Sequence, residues 1–219
     1  MPYHVRVKIC GVTNEADAVQ AAQLGADAIG LNFFPGSPRH VDPATANFVL
    51  RELPPFVEAV GVYVNTPLRE IFEQLHHLGR LRAIQWHGEN RELSDAYPYH
   101  LIAAFPVRDA TSLQAIQRYL DTCRSLGRMP GALLVDAHAP GLHGGTGRTA
   151  PWDLLAKFRP DVPLILAGGL TPENVAEAIR LVRPYAVDVA SGVEHSPGHK
   201  DPEKMYHFIA AAREAALRL

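Results

Sequence analysis

The stretch VRVKICGVT, residues 5–13, contains the repeating unit that decides the fold. Its first part, Val5–Cys10, is a short and mostly apolar run, typical of a parallel strand that is buried on both faces. Thr13 then predicts the start of a helix, which we expect to stop at Gly25. A strand followed closely by a helix is the unit from which parallel α/β proteins are built.

The same alternation recurs along the chain and predicts eight strands. They are Val5–Cys10, Ala28–Phe33, Ala59–Val64, Leu81–Trp86, His100–Phe105, Ala132–Asp136, Leu164–Ala167 and Val187–Ala190. Helix starts are predicted where a capping side chain precedes proline, at Asp42, Thr66, Thr171 and Asp201. Eight strands with interleaved helices in 219 residues predict one domain, a single (β/α)8 TIM barrel over residues 1–219. A doubly wound sheet is the alternative, but its Gly-x-Gly-x-x-Gly motif does not follow the first strand.

Composition argues against several classes of protein. The formal net charge is −2 with no clustered basic face, so no nucleic-acid partner is expected. No apolar run reaches membrane-spanning length, and the amino terminus lacks the apolar stretch of a signal peptide, so no membrane association is expected. The two cysteines, Cys10 and Cys123, are too few for a disulfide framework. We therefore expect a cytoplasmic protein.

Cys10 is the most informative residue, because barrel enzymes keep their active sites at the carboxyl ends of the strands. Side chains alternate along a strand, so Lys8 and Cys10 share a face, which we place toward the barrel interior. A lysine two residues away could lower the pKa of the thiol. The alternative is a small buried hydrophobe, which is our interpretation of Cys123.

Other polar side chains are predicted at the same end of the barrel. The alternation places Asp136 inward at the end of the sixth strand and Asp188 inward on the eighth, and Gln85 and His87 share a face of the fourth. Arg39 lies in a proline-stiffened loop after the second strand and could bind a carboxylate through two parallel hydrogen bonds. A loop-capping carboxylate and a solvated loop charge are the alternatives for Asp136 and Arg39.

Glycines follow the last two strands. Gly168 and Gly169 follow the seventh strand, and Ser191 and Gly192 follow the eighth, where barrels often bind phosphate through backbone N–H groups. Ordinary tight turns are the alternative.

The run GGTGRT, residues 144–149, lacks the lysine of a nucleotide-binding P-loop, and we interpret it as a flap over the barrel mouth. The histidines lack the spacing of a zinc site, so no metal is expected.

Six motifs in order resemble those of the phosphoribosylanthranilate isomerases of tryptophan biosynthesis. They are VKICG (7–11), SPR (37–39), QWHG (85–88), GGTG (144–147), AGGL (167–170) and DVASGVE (188–194). The resemblance runs from Lys8 to Asp201. The family usually has leucine at the position of Trp86, and Phe-Asp-Trp where this chain has Ala150-Pro151-Trp152.

The resemblance implies conversion of N-(5-phosphoribosyl)anthranilate into 1-(o-carboxyphenylamino)-1-deoxyribulose 5-phosphate, an Amadori rearrangement that needs no cofactor. It implies that Asp136 is the general acid and Cys10 the general base. It also implies a small phosphoribosyl substrate as the partner of a monomer or homodimer. The substrate-binding residues that it implies are Arg39, His87 and Asp188, and the implied phosphate-binding residues are Gly168, Gly169, Ser191 and Gly192.

Other phosphosugar barrels are the nearest alternatives. The aminoaldose isomerase of the histidine pathway uses two aspartates and has repeated half-barrels, whereas here the first strand ends in Cys10 and no repeat is evident. Indole-glycerol-phosphate synthase is normally longer at its amino terminus. A non-catalytic phosphosugar-binding protein would keep the two glycine loops but would not need Cys10 and Asp136 together.

Overall fold

A closed barrel of eight parallel strands forms the centre of the molecule, in a computed structural model that describes residues 3–88, 99–137 and 152–219. Each strand pairs with the next along the chain, and the eighth pairs with the first. The strands are β1 (Arg6–Cys10), β2 (Ala28–Asn32), β3 (Glu58–Val64), β4 (Ala83–His87), β5 (His100–Pro106), β6 (Ala132–Asp136), β7 (Leu164–Ala167) and β8 (Ala186–Val189). Every strand end lies within two residues of its predicted position, so the predicted barrel is confirmed.

Helices follow most strands and cover the outside of the barrel. In the described ranges they are α1 (Glu15–Gln23), α2 (Pro43–Glu52), α3 (Leu68–His76), α4 (Ala110–Ser125), α5 (Trp152–Leu155), α6 (Val175–Val182) and α7 (Pro202–Leu217). The predicted caps at Asp42 and Asp201 are confirmed, because each carboxylate accepts backbone N–H groups of the first helical turn. None of these helices has both the length and the apolar character needed to cross a membrane.

Three predicted helix caps are wrong. Asn14 caps α1, whereas the hydroxyl of Thr13 donates to a carbonyl in a later loop. No side chain caps α3, which begins one residue after the first helical position predicted from Thr66. The start predicted from Thr171 is three residues early, because the N–H of Thr171 bonds the Asn174 side chain and closes a turn before α6 begins.

The buried side chains of the strands form two apolar regions. The outer region lies between the barrel and its helices and holds large side chains, such as Trp86 of β4 and Leu133 of β6. Cys123 on α4 is fully buried, which confirms its predicted core position. The inner region fills the barrel with smaller residues. They are Val60, Ala83, Ile102, Ala104, Ala132, Leu134, Ile165, Ala167 and Ala186.

A small hairpin between β8 and α7 is absent from the predicted elements. It consists of β9 (Glu194–Ser196) and β10 (His199–Lys200), which pair antiparallel after a 3-10 turn at Ser191–Val193. The strands have only three and two residues, too few to show an alternating pattern in the sequence. The hairpin lies beside the end of β1, since the N–H of Lys200 and its side chain bond residues of the β1–α1 region.

Candidate active site

Lys8 and Cys10 point into the barrel, as the alternation predicts. Their exposed fractions are 3% and 8%. Strands β1 and β8 pair with Lys8 opposite Asp188, and the Lys8 Nζ donates to the Asp188 Oδ1 at 2.8 Å. The lysine, the thiol and the carboxylate therefore form a buried group at the carboxyl ends of adjacent strands.

Burial raises the pKa of the Cys10 thiol, and the Asp188 carboxylate raises it further. The Lys8 ammonium acts in the opposite direction, through its charge and a hydrogen bond to the sulfur, and Lys200 does the same through its charge. Lys8 therefore acts on the pKa of the thiol in the predicted direction, but burial and Asp188 outweigh it and the net shift is upward. Burial by itself would lower the pKa of Lys8, but Asp188 and Cys10 outweigh it and raise that pKa.

Gly30 makes room for the buried thiol and ammonium. It lies beside Cys10 in the β1–β2 register. A Cβ at this position would stand 2.7 Å from the Cys10 Sγ, closer than side chains pack, and 3.0 Å from the Lys8 Nζ, which is tighter than most packing contacts. Sequence reasoning missed this glycine, because only the barrel's closure brings β2 against these two side chains.

Asp136 lies at the end of β6, where it borders a cavity of about 260 Å³ at the barrel mouth. Asp188 of β8 lines the same cavity. The structure thus places at one mouth the two carboxylates that the alternation predicts to point inward. The rest of the lining comes from the ends of β7 and β8 and their loops, namely Ala167, Gly168, Gly169, Leu170, Val189, Ala190, Ser191 and Gly192.

The two glycine loops touch each other at this cavity. Gly168 and Gly169 have φ values of 92° and 65°, a backbone region that favours glycine. A Cβ on Gly192 would overlap the carbonyl oxygen of Leu170, so only glycine lets the loops approach this closely. The N–H groups of Gly169, Ser191 and Gly192 donate to no acceptor among the described residues. Such an arrangement of backbone donors can hold an anion.

Arg39 is paired with a protein carboxylate. Its Nε and Nη2 donate to the two oxygens of Glu194, at 2.8 and 2.6 Å. Its Nη1 bonds no described residue. The Glu194 Oε1 also accepts from the Lys200 Nζ at 2.8 Å. The sequence predicts no function for Glu194 or Lys200, although Glu194 ends the motif DVASGVE.

Gln85 and His87 share the inner face of β4, and the Gln85 Nε2 lies 2.8 Å from the His87 Nε2. The intervening Trp86 points to the outer region and is 2% exposed. This departure from the family pattern therefore lies away from the barrel mouth. The flap predicted at residues 144–149 and the second departure, at Ala150 and Pro151, lie outside the described residues.

Within the described ranges, no group of three or more histidine, cysteine, aspartate or glutamate side chains is placed to hold a metal ion. The fold and this mouth define a class of protein, the (β/α)8-barrel enzymes with ionisable side chains beside glycine loops at the carboxyl ends of the strands. The family model described as N-(5'-phosphoribosyl)anthranilate (PRA) isomerase matches residues 7–211. The chain belongs to this family and is an isomerase of tryptophan biosynthesis.

Relatives support the match along nearly the whole chain. The N-(5'-phosphoribosyl)anthranilate isomerase of Geobacter metallireducens is 45% identical over 210 residues, covering 95% of this chain and 99% of the relative. The crystal structure of phosphoribosyl anthranilate isomerase from Thermotoga maritima is 39% identical with a TM-score of 0.84, covering 96% and 100% of the two chains.

A second solved structure of phosphoribosyl anthranilate isomerase is in complex with reduced 1-(o-carboxyphenylamino)-1-deoxyribulose 5-phosphate. It is 37% identical with a TM-score of 0.79, and the match covers 96% of this chain and 100% of that one. These matches set aside the alternatives drawn from other phosphosugar barrels.

Proposed function

We propose that this barrel converts N-(5-phosphoribosyl)anthranilate into 1-(o-carboxyphenylamino)-1-deoxyribulose 5-phosphate, with Asp136 as general acid and Cys10 as general base. The observation that carries the proposal is the placement of both side chains at the carboxyl ends of their strands. Asp136 borders a cavity whose rim carries backbone N–H groups with no described acceptor, and Cys10 is buried close to Asp188, which lines the same cavity. An acid and a base on different strands can act on different atoms of one bound sugar.

In the first step, Asp136 protonates the ring oxygen of the furanose, and the bond from that oxygen to C1′ breaks. The nitrogen lone pair then forms a Schiff base with C1′. The Cys10 thiolate next removes the proton from C2′, and the electron pair moves through C1′ onto nitrogen to give an enolamine. The enolamine becomes the ketone when the C2′ hydroxyl loses its proton and C1′ gains one.

The reaction balances without an external oxidant, because C2′ is oxidised while C1′ is reduced. Cys10 gains one proton and Asp136 gives one, so the charge of the protein is unchanged. Transfer of one proton from Cys10 to Asp136 through solvent then restores both residues for the next turnover. The raised pKa of Cys10 makes the thiolate a minority form at neutral pH, and the neighbouring Lys8 ammonium stabilises it once it forms.

We further propose that the substrate's two anionic groups bind on either side of these residues. The N–H groups around Gly168, Gly169, Ser191 and Gly192 would hold the phosphate, and the Nη1 of Arg39 would meet the anthranilate carboxylate. His87, held beside Gln85, and Asp188, which lines the cavity, would contact the sugar.

Two substitutions test the acid and the base. We expect Cys10→Ser and Asp136→Asn each to lower kcat by about 100-fold or more, with KM changed by less than about threefold. Cys123→Ser is the matched control, because it makes the same change at a buried thiol in α4, away from the cavity. Product formation is measured from freshly prepared substrate. Wild-type turnover in both variants would contradict the mechanism.

We infer that the chain forms a homodimer through the amino-terminal face of the barrel. Phe56 precedes β3 there and is 99% exposed, beside a cavity of about 350 Å³ that reaches Val60, Ile102 and Ile165 in the barrel interior. Charged residues, namely Arg6, Asp27 and Glu58, also line this cavity. An almost fully exposed aromatic ring beside it favours a self-complementary contact. A solved relative from Thermotoga maritima, 35% identical, is a monomer generated from a dimeric isomerase. Sedimentation analysis of the wild-type protein and of Phe56→Glu tests this inference. We expect the wild type to have the mass of a dimer and the variant that of a monomer, because a charge at this position would oppose burial in the interface.

A cytoplasmic location is also proposed, since Cys10 and Cys123 are both free thiols, as a reducing compartment maintains them. The family model covers residues 7–211, which supports one domain over the whole chain. Redox-sensitive labelling of the two thiols in cells that make the protein would test its compartment. Thiols that are oxidised in those cells would contradict it.

A further inference from the structure

We propose that Glu194 is a positioning residue for substrate recognition, and that it holds Arg39 in the orientation that meets the anthranilate carboxylate. The β9–β10 hairpin, which supplies Glu194 and Lys200, is then a specificity element of the active site. This inference rests on the proposed function of Arg39 and extends it to residues that do not touch the substrate themselves.

The contact between Arg39 and Glu194 fixes both the position and the orientation of the guanidinium. Two parallel hydrogen bonds, at 2.8 and 2.6 Å, join the two planar groups. The exposed fraction is 21% for the Arg39 side chain and 4% for that of Glu194. The Arg39 side chain also lies against Gly11, where a Cβ would stand only 3.2 Å from the Arg39 Cγ. Three N–H groups of the guanidinium are left for a ligand, both on Nη1 and one on Nη2.

Glu194 is itself held by a lysine that reaches the rest of the site. The Lys200 side chain has an exposed fraction of 0%, and its Nζ donates to the Glu194 Oε1 at 2.8 Å. The same ammonium donates to the backbone carbonyl of Cys10 at 2.6 Å and to that of Ala190 at 3.2 Å. Ala190 directly precedes the 3-10 turn at the phosphate rim. The Lys200 ammonium thus connects Glu194, the partner of Arg39, with the backbone of Cys10 and with the loop that follows β8.

Arg39 shares its carboxylate partner with a second cation. Glu194 accepts from both Arg39 and Lys200, and the Asp17 carboxylate accepts from the backbone N–H of Lys200 rather than from Arg39. Burying ions is costly unless they are paired. A substrate carboxylate would give Arg39 a second negative partner.

The test compares two substrates that differ only in the carboxylate, N-(5-phosphoribosyl)anthranilate and N-(5-phosphoribosyl)aniline. For the first substrate, we expect Glu194→Gln to raise KM by about tenfold while kcat falls by less than about threefold. For the second, KM should change by less than about twofold. Arg39→Ala should likewise raise KM for the carboxylated substrate and leave KM for the other nearly unchanged. Adding Glu194→Gln to Arg39→Ala should cause no further increase in KM.

Two further variants separate positioning from folding. Glu194→Asp keeps the charge but is one methylene shorter, so we expect an intermediate KM for the carboxylated substrate and a folded protein. Asp27→Asn is the matched control, because it removes a carboxylate that bonds Arg213 at 2.7 Å away from the barrel mouth. We expect this control to lower the melting temperature without changing the ratio of the two KM values.

An equal KM change with both substrates in the Glu194 variants would overturn the proposal, because it would assign the carboxylate a purely structural function. If Arg39→Ala also failed to discriminate, the premise about Arg39 would be wrong. In both cases the acid–base function would still be tested separately by the kcat values of the Cys10 and Asp136 variants.

Discussion

The outer and inner faces of the same eight strands differ in the side chains that they carry toward the barrel mouth. Outward side chains are large and apolar, such as Trp86. Inward side chains along the barrel axis are aliphatic and mostly alanine, whereas ionisable side chains lie toward the mouth, namely Lys8, Cys10, Asp136 and Asp188. Because residues alternate between the faces, a strand can stabilise the fold with one set of residues and place reactive groups with the other. Stability and activity should therefore respond to different substitutions.

A core substitution in the outer region should have the largest effect. Leu75 on α3 is 2% exposed, and we expect Leu75→Ala to lower the free energy of unfolding by about 3 kcal/mol, through lost burial and the cavity left behind. Leu217→Ala makes the same change at a site that is 81% exposed, and should alter it by less than about 0.5 kcal/mol. Denaturant unfolding measures both. Equal losses would break the comparison.

A methyl group on the inner face should act on catalysis. We expect Gly30→Ala to lower kcat by about 100-fold, or about 2.7 kcal/mol in activation free energy, because it displaces the Cys10 sulfur and the Lys8 ammonium. Steady-state kinetics measures the effect. Gly79→Ala is the control, since a Cβ there meets no atom within 4 Å. A Gly30→Ala enzyme with wild-type kcat would show that the sulfur's position is not critical.

The raised pKa of Cys10 predicts a pH dependence of stability. The folded chain holds the thiol proton more tightly than the unfolded chain, so the contribution is complete below the unfolded value of about 8.5 and is lost as pH rises through the folded value. Relative to Cys10→Ser, the wild-type free energy of unfolding should fall above about pH 8.5, by at most about 1.4 kcal/mol per pH unit. A difference that is constant with pH would contradict this.

Substitutions of neighbouring residues on β4 should have the smallest effects on activity, and these effects should differ between the outer and the inner face. Trp86→Leu should leave kcat within about twofold of wild type, because the ring lies in the outer region. Gln85→Leu should lower kcat/KM by several-fold, because His87 loses the side chain 2.8 Å from its Nε2. Kinetics on both variants measures the difference between the faces. A larger loss in Trp86→Leu would reverse the comparison.

The strands and the direction of their side chains were predictable, because alternation is a local property of an extended chain. Asp42 and Asp201 were predictable caps for the same reason. The start of α6 was not predictable from Thr171. The N–H of Thr171 bonds the Asn174 side chain in a turn before the helix, and the proline pattern does not reveal this turn. The β9–β10 hairpin also escaped prediction, since its strands are too short to carry a pattern.

The sequence by itself determined the barrel, the inward placement of Lys8 and Cys10, and the glycine loops after β7 and β8, because each depends on residues close together in the chain. Only the tertiary structure decided the electrostatics of the site. The pKa of Cys10 depends on burial and on Asp188, 178 residues away, and the orientation of Arg39 depends on Glu194, 155 residues away. These pairs meet only when β8 closes against β1, which no local pattern encodes.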